Sequence, residues 1–315
     1  MQYEQLGNSD LEVSVVGLGT WALGSDFYGE VDDSQSIAAI RAGINAGINL
    51  IDTAPPYGDG HSEKVVGQAI EGYRDEVIIA TKCGVYRDGA EFIRDLSPDT
   101  IRKQINGSLE RLGIDTIDLY QIHWPDADVP LEETVAELEK LQKEGKFRYL
   151  GVSNFDKKLL EQITNLTNIV SLQPHYSLLQ RDIEEEELPY CVENNIGNLS
   201  YGSIGGGILT GKYEEPPEFD DDDKRNQFYP FYDEETWSQT LDLIDVMEEI
   251  AAKHDAPIVQ VAINWVRQQE GITTALVGAK SPKQAKQNAA AADWNLSQEE
   301  IKLLTSASNK VLNDE

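Results

Sequence analysis

The chain has 315 residues, 40% hydrophobic and 8% aromatic, which is enough apolar side chain for a packed interior and argues against wholesale disorder. Its 56 acidic and 26 basic residues leave a net charge of −30 spread along the whole sequence, which disfavours nucleic acid as a partner because that needs clustered Lys and Arg. No apolar run approaches the ~20 residues of a membrane span, and the two cysteines, Cys83 and Cys191, cannot build a disulfide framework.

The opening Met1-Gln2-Tyr3-Glu4 lacks the features of a secretory leader, so a reducing cytoplasm is expected, and the sequons at Asn106, Asn165 and Asn198 read as chance. Residues 3–14 read as a two-strand lid, Tyr3–Leu6 and Glu12–Ser14, turned at Asn8-Ser9-Asp10 over the floor of the fold. From Val13 onward, short β-branched apolar runs alternate with amphipathic stretches of helical length. Strands are expected at Val15–Gly19, Asn49–Thr53, Val77–Thr81 and Ile117–Ile122, then at Tyr149–Ser153, Ile169–Gln173, Asn198–Tyr201 and Thr274–Gly278. Helices are expected at about 34–47, 61–71, 98–112, 131–144, 156–165, 184–195, 233–254 and 257–269, with two more near 282–291 and 297–307. Ser97-Pro98 and Ser281-Pro282 each put a cap before a first-turn proline, and Ser297-x-x-Glu300 is a capping box. Eight strands, each followed by helix, predict an α/β fold: a (β/α)8 TIM barrel forming a single domain over residues 1–315, with the N-terminal β-hairpin lid and the extra C-terminal helices. Residues 204–232 form a glycine- and acid-rich loop, longer than a mere connection requires.

In such barrels the chemistry sits at the C-terminal ends of the strands. The second strand ends in Asp52-Thr53-Ala54-Pro55-Pro56-Tyr57, the third in Thr81-Lys82-Cys83 and the fourth in His123-Trp124. An Asp, a Lys and a His at the tops of consecutive buried strands are costly unless paired. They make sense together as an electrophilic site that polarises a C=O and protonates its oxygen. Lys82 would stabilise the Tyr57 phenolate, with an attraction of roughly 4 kcal/mol at ~4 Å and an effective dielectric of ~20, and so lower the phenol's pKa. Asp52 would hold Lys82 charged, and His123 would hydrogen-bond the carbonyl oxygen.

This constellation, with Gly17-Leu18-Gly19-Thr20-Trp21, Ile51-Asp52-Thr53-Ala54-x-x-Tyr57-Gly58, Gly151-Val152-Ser153-Asn154-Phe155 and Val277-Gly278-Ala279-Lys280 running to Asn288, resembles the aldo-keto reductases over nearly the whole chain. The resemblance implies an oxidoreductase that reduces aldehydes or ketones to alcohols, with Asp52, Tyr57, Lys82 and His123 as catalytic tetrad and NADPH, or NADH, bound in extended form. It further implies that Ser153, Asn154 and Gln173 bind the nicotinamide carboxamide and that Tyr201 stacks on the ring. The loop from Gly202 and Ser203 through Gly207 to Lys212 would wrap the pyrophosphate. Gly19, Thr20 and Trp21 would join the cofactor site, and Gly278, Lys280, Gln284, Gln287 and Asn288 would hold the adenosine phosphate. Two positions depart from the family pattern: Gly202-Ser203-Ile204 follows Tyr201 where many relatives have Ser-Pro-Leu, and Gln284 stands where one large subgroup has arginine. Lys280 is then the expected partner of a 2′-phosphate. Tyr28, Tyr86, Trp124 and Tyr176, beside Trp21, are expected to form an aromatic pocket for a small-molecule carbonyl substrate, and no protein partner, membrane or metal is implied.

Other signals carry less. Gly17-x-Gly19-x-x-Ala22 lacks the helix and acid of a dinucleotide fingerprint, and Gly206-x-x-x-x-Gly211-Lys212 is followed by Tyr213 where a P-loop needs Ser or Thr. Asp220–Asp223 lacks the alternating spacing of a calcium loop and reads as a solvated run. Cys83 should face away from Lys82 as a buried structural thiol. The alternative function on the same fold is a cofactor-binding regulatory subunit, similar to potassium-channel β subunits. The −30 charge suggests a surface suited to a salt-rich cytoplasm; the plainer reading is an acidic protein.

Overall fold

The apolar runs of the sequence become short strands buried on both faces, as a parallel sheet covered by helices requires. In the computed structural model, which describes residues 1–24, 31–89, 91–218, 225, 229–232 and 234–312, β1 (Tyr3–Gln5) and β2 (Glu12–Ser14) form an antiparallel hairpin. The barrel strands follow: β3 (Val16–Gly19), β4 (Leu50–Asp52), β5 (Ile78–Cys83), β8 (Ile117–Ile122), β9 (Phe147–Ser153), β10 (Ser171–Gln173), β11 (Gly197–Ser200) and β12 (Ile272–Gly278). They pair in chain order, all parallel, and β12 closes on β3. The helices lie between them: α1 (Asp33–Asn45), α2 (His61–Ala69), α3 (Pro98–Leu112), α4 (Leu131–Lys143), α5 (Lys157–Thr164), α6 (Glu187–Glu193), α7 (Glu234–Lys253) and α8 (Ile258–Arg267), with α9 (Pro282–Ala289) and α10 (Gln298–Leu312) after the last strand.

The expected helix starts have the expected causes. Ser97 and Ser281 accept from the backbone N–H of Thr100 and Gln284, each with a proline opening the helix. Ser297 and Glu300 cap each other reciprocally. The N-terminal hairpin seals the floor: Leu6, Leu11 and Val13 pack with Leu50, Ala80, Leu119, Leu199 and Leu276 from the strands. Gly7 makes the turn possible, because its φ is +51° and a Cβ there would lie 2.3 Å from the Val170 carbonyl oxygen.

One element was not foreseen. After β5, the strands β6 (Val85–Asp88) and β7 (Glu91–Arg94) form an antiparallel hairpin that rises beside the barrel mouth. Asp88-Gly89, with Gly89 at φ +61°, is a recognised turn signal between strands, but the charged residues around it mask the alternation. The Asp220–Asp223 run and Tyr28 lie outside the described residues. Among the described residues no helix is long and apolar enough to cross a membrane.

Candidate active site

The top of the barrel opens into a cavity of about 840 Å³. The floor of its chemistry is a buried ion pair. Lys82 projects from β5 with no solvent exposure, and its Nζ donates to Asp52 Oδ1 at 2.6 Å, to the Thr53 carbonyl at 3.0 Å and to Tyr57 Oη at 3.4 Å. Asp52 Oδ2 accepts from Gln173 Nε2 at 2.8 Å and Gln121 Nε2 at 3.2 Å, so four strands converge on one carboxylate. Behind them, fully buried Glu63 accepts from Thr81 and Arg111 and adds to the field that keeps Lys82 an ammonium. Burial pulls Lys82 below the ordinary lysine value, and Asp52 opposes it.

Tyr57 sits in the turn after β4, where Gly58 (φ +62°) folds against the Gly24 carbonyl with no room for a Cβ. Its ring lies 6.1 Å from that of Trp21 and meets His123 edge-on at 5.9 Å. The phenol is pushed well above the ordinary tyrosine value by burial, then by the charge of Asp52 and by Tyr229. The expected lowering by Lys82 is therefore not found; desolvation outweighs an ammonium already engaged by Asp52. The phenol keeps its proton at neutral pH, which is the state a donor needs. His123 is held well below the ordinary histidine value by burial, Lys82 and Arg94, so its imidazole is neutral. Its Nδ1 is buried with no partner among the described residues.

The predicted cofactor residues converge on the same cavity. Ser153 Oγ donates to the Gln173 carbonyl at 2.8 Å, and Asn154, at φ +59°, donates to the His123 carbonyl at 3.0 Å. Tyr201 Oη donates to Asn154 Oδ1 at 2.9 Å, and its ring lies parallel to that of His175 at 5.0 Å. Gly19, Thr20 and Trp21 line the wall beneath Tyr57, and Gly202, Ser203, Gly207 and Lys212 line the loop side. At the far end are Gly278, Lys280, Gln284, Gln287 and Asn288. Gln284 Oε1 accepts the backbone N–H of Lys280 at 2.8 Å, and Asn288 Nδ2 donates to the Gly278 carbonyl at 3.1 Å. The site fits an extended dinucleotide. A flat aromatic face at Tyr201, backbone without Cβ at Gly207 (φ +109°) and the cations Lys212, Arg225 and Lys280 all line it.

The expected aromatic pocket is only partly assembled. Trp124 lines the cavity. Tyr176 does not: it is wholly buried against Trp265 and donates to Glu184 at 2.6 Å, because β-alternation after Gln173 turns His175 inward and Tyr176 outward. Tyr86 does not either. It is 39% exposed on the unforeseen hairpin, and Val85, Phe92 and Arg94 reach the cavity instead. Arg225 and Tyr229, from the long loop after β11, were also missed. Cys83 is buried among the helices as expected, its thiol pushed up to about 12 by burial.

A closed parallel barrel with an ammonium, a phenol and a neutral imidazole at the end of a long cavity defines a class of cofactor-dependent barrel oxidoreductases. Residues 15–309 match the Aldo/keto reductase family, and the chain belongs to that family, whose members reduce carbonyl groups with nicotinamide cofactors. It is 37% identical to aldo-keto reductase YhdN of Bacillus subtilis (strain 168) over all of this chain and 96% of that protein. It is 35% identical to the NADH-specific methylglyoxal reductase of Escherichia coli (strain K12), over 95% of this chain and 96% of that one. The solved glycerol dehydrogenase AKR11B4 from Gluconobacter oxydans superposes with a TM-score of 0.90 at 36% identity, covering 98% of this chain and 95% of its own.

Proposed function

We propose that this chain reduces an aldehyde or ketone to the alcohol with NADPH, Tyr57 serving as general acid. The observation that carries the reading is the position of Lys82: wholly buried, 2.6 Å from the Asp52 carboxylate and 3.4 Å from the Tyr57 hydroxyl. When bound, the nicotinamide supplies a hydride to the carbonyl carbon. Tyr57 Oη gives its proton to the carbonyl oxygen, and the Lys82 ammonium stabilises the phenolate left behind. Asp52, oriented by Gln121 and Gln173, keeps Lys82 charged and in place. Neutral His123 donates a hydrogen bond to the carbonyl oxygen and so polarises it without competing for the proton. Ser153, Asn154 and Tyr201 orient the nicotinamide end. Lys212 and Arg225 neutralise the pyrophosphate, and Lys280 takes the 2′-phosphate.

Steady-state turnover of a panel of small aldehydes and ketones, run with NADPH and with NADH, tests the reading. Cofactor oxidation that depends on the carbonyl, faster with NADPH at limiting cofactor, is expected. Tight cofactor binding with no carbonyl-dependent turnover would refute it and favour a regulatory subunit.

A further inference from the structure

The net charge of −30 makes the lining of the cavity unusual. Among the described residues, the charged groups on its wall are Asp52, Arg94, Lys212, Arg225 and Lys280. Asp52 is neutralised by Lys82. Lys212, Arg225 and Lys280 lie along the stretch assigned above to the cofactor's phosphates. Arg94 does not. It ends β7, on the hairpin beside the barrel mouth, and its guanidinium carbon lies 4.6 Å above the ring of Trp124, the residue next to His123.

The contact with Trp124 keeps the guanidinium beside that ring, and its N–H groups, on a solvent-exposed side chain, have no hydrogen-bond or ion-pair partner among the described residues. This is not for want of carboxylates close by in the chain. Asp95 is engaged by Ser97 and Thr100, and Asp126 by the backbone N–H groups of Leu96 and Asp128. Arg94 is also near enough to His123 for its charge to help keep that imidazole neutral. This cation, in a cavity wall otherwise apolar at Val85, Phe92 and Trp124, is not among the residues assigned above to the cofactor.

We infer that Arg94 is a specificity-determining residue that receives a carboxylate on the substrate, so that the preferred substrates are short aliphatic aldehydes or ketones bearing a carboxylate group. The planar fork matches a carboxylate bidentately, and the apolar wall takes the methylenes between acid and carbonyl. The cation also offsets the repulsion that so acidic a protein exerts on an anion at its mouth. This inference rests on the reductase reading above.

The test compares 4-oxobutanoate with butanal, which share a four-carbon chain and differ in the terminal carboxylate, in the wild type, Arg94→Gln and Arg94→Lys. The wild-type ratio of kcat/KM, acid over neutral, should be well above one. Arg94→Gln should lower that ratio by about 10- to 100-fold, the range for one charge-assisted contact. Arg94→Lys should restore part of it, and molar KCl should shrink the wild-type ratio. A purely structural effect of Arg94 would change both substrates together and leave the ratio where it was, which would overturn the inference. A wild-type ratio near one, with butanal turned over, would overturn it and leave the reductase reading standing. No turnover of either compound by a wild type that reduces other carbonyls of the panel would overturn the inference and leave the reductase reading standing; no turnover across the whole panel would overturn both.

Discussion

Replacing Lys82 by methionine keeps an unbranched side chain and removes the charge on which three groups converge. The variant carries two separable costs. The Asp52 carboxylate, whose side chain is 4% exposed, would keep its bonds from Gln121 and Gln173 but lose its only cation within salt-bridge reach among the described residues. Breaking a buried pair in this way costs about 3–5 kcal/mol of stability. The second cost falls on the chemistry. The phenolate that forms as Tyr57 gives up its proton loses an attraction of roughly 4 kcal/mol at ~4 Å and an effective dielectric of ~20, or about 10³-fold in rate. Thermal melting and steady-state kinetics on Lys82→Met, and on Lys82→Met with Asp52→Asn, separate the two. The double variant removes both buried charges, so it should regain much of the lost stability while kcat stays low. Recovery of turnover in the double variant would show that Lys82 acts only by holding the fold together. A Lys82→Met enzyme that merely raised KM would refute the phenolate argument as well.

Lys280→Ala should weaken NADPH binding by tens-fold and leave NADH nearly untouched, since one charge-assisted contact to phosphate contributes about 1.5–3 kcal/mol; equal affinity of the wild type for both cofactors would refute the preference. His175, lowered to about 4 by burial, is neutral in the folded state, whereas the unfolded chain takes up its proton below ~6.5. A group with a depressed basic pKa costs stability as pH falls through that interval, so wild type should lose up to ~3 kcal/mol relative to His175→Phe between pH 6.5 and 4. A constant gap in melting temperature across that range would contradict the burial argument. The acidic surface should gain stability as salt shortens the screening length from ~10 Å at 0.1 M to ~3 Å at 1 M. A melting temperature that stays flat or falls in KCl would leave the charge as composition alone.

Most of the barrel was legible because its signals are local. Each buried strand is a short apolar run, and Ser97, Ser281 and Ser297 announce the helices they cap. That Asp52, Tyr57, Lys82 and His123 gather at one end of the barrel was legible because strand ends in a parallel barrel all point one way, while their roles came from the resemblance to the aldo-keto reductases. What failed depended on choices made across the chain. The Tyr57 phenol moves up, not down, because the depth of the site outweighs the ammonium beside it, and desolvation cannot be read from spacing. Tyr176 does not line the pocket, because the alternation of side chains after Gln173 sends His175 inward in its place. The hairpin over Val85–Arg94 hid behind its charges, and with it Arg94, the one cation on the substrate side among the described residues. Glu63 and Gln121, which support the ion pair from behind, have no motif to mark them.

Tyr57→Phe tests most directly whether Tyr57 donates the proton, because the ring, its contact with Trp21 and its edge against His123 can all remain while the hydroxyl is removed. Carbonyl reduction should fall by ~10²–10⁴ in kcat, with the affinity for NADPH, measured by fluorescence titration, little changed. A Tyr57→Phe enzyme that turned over carbonyls at the wild-type rate would contradict the account.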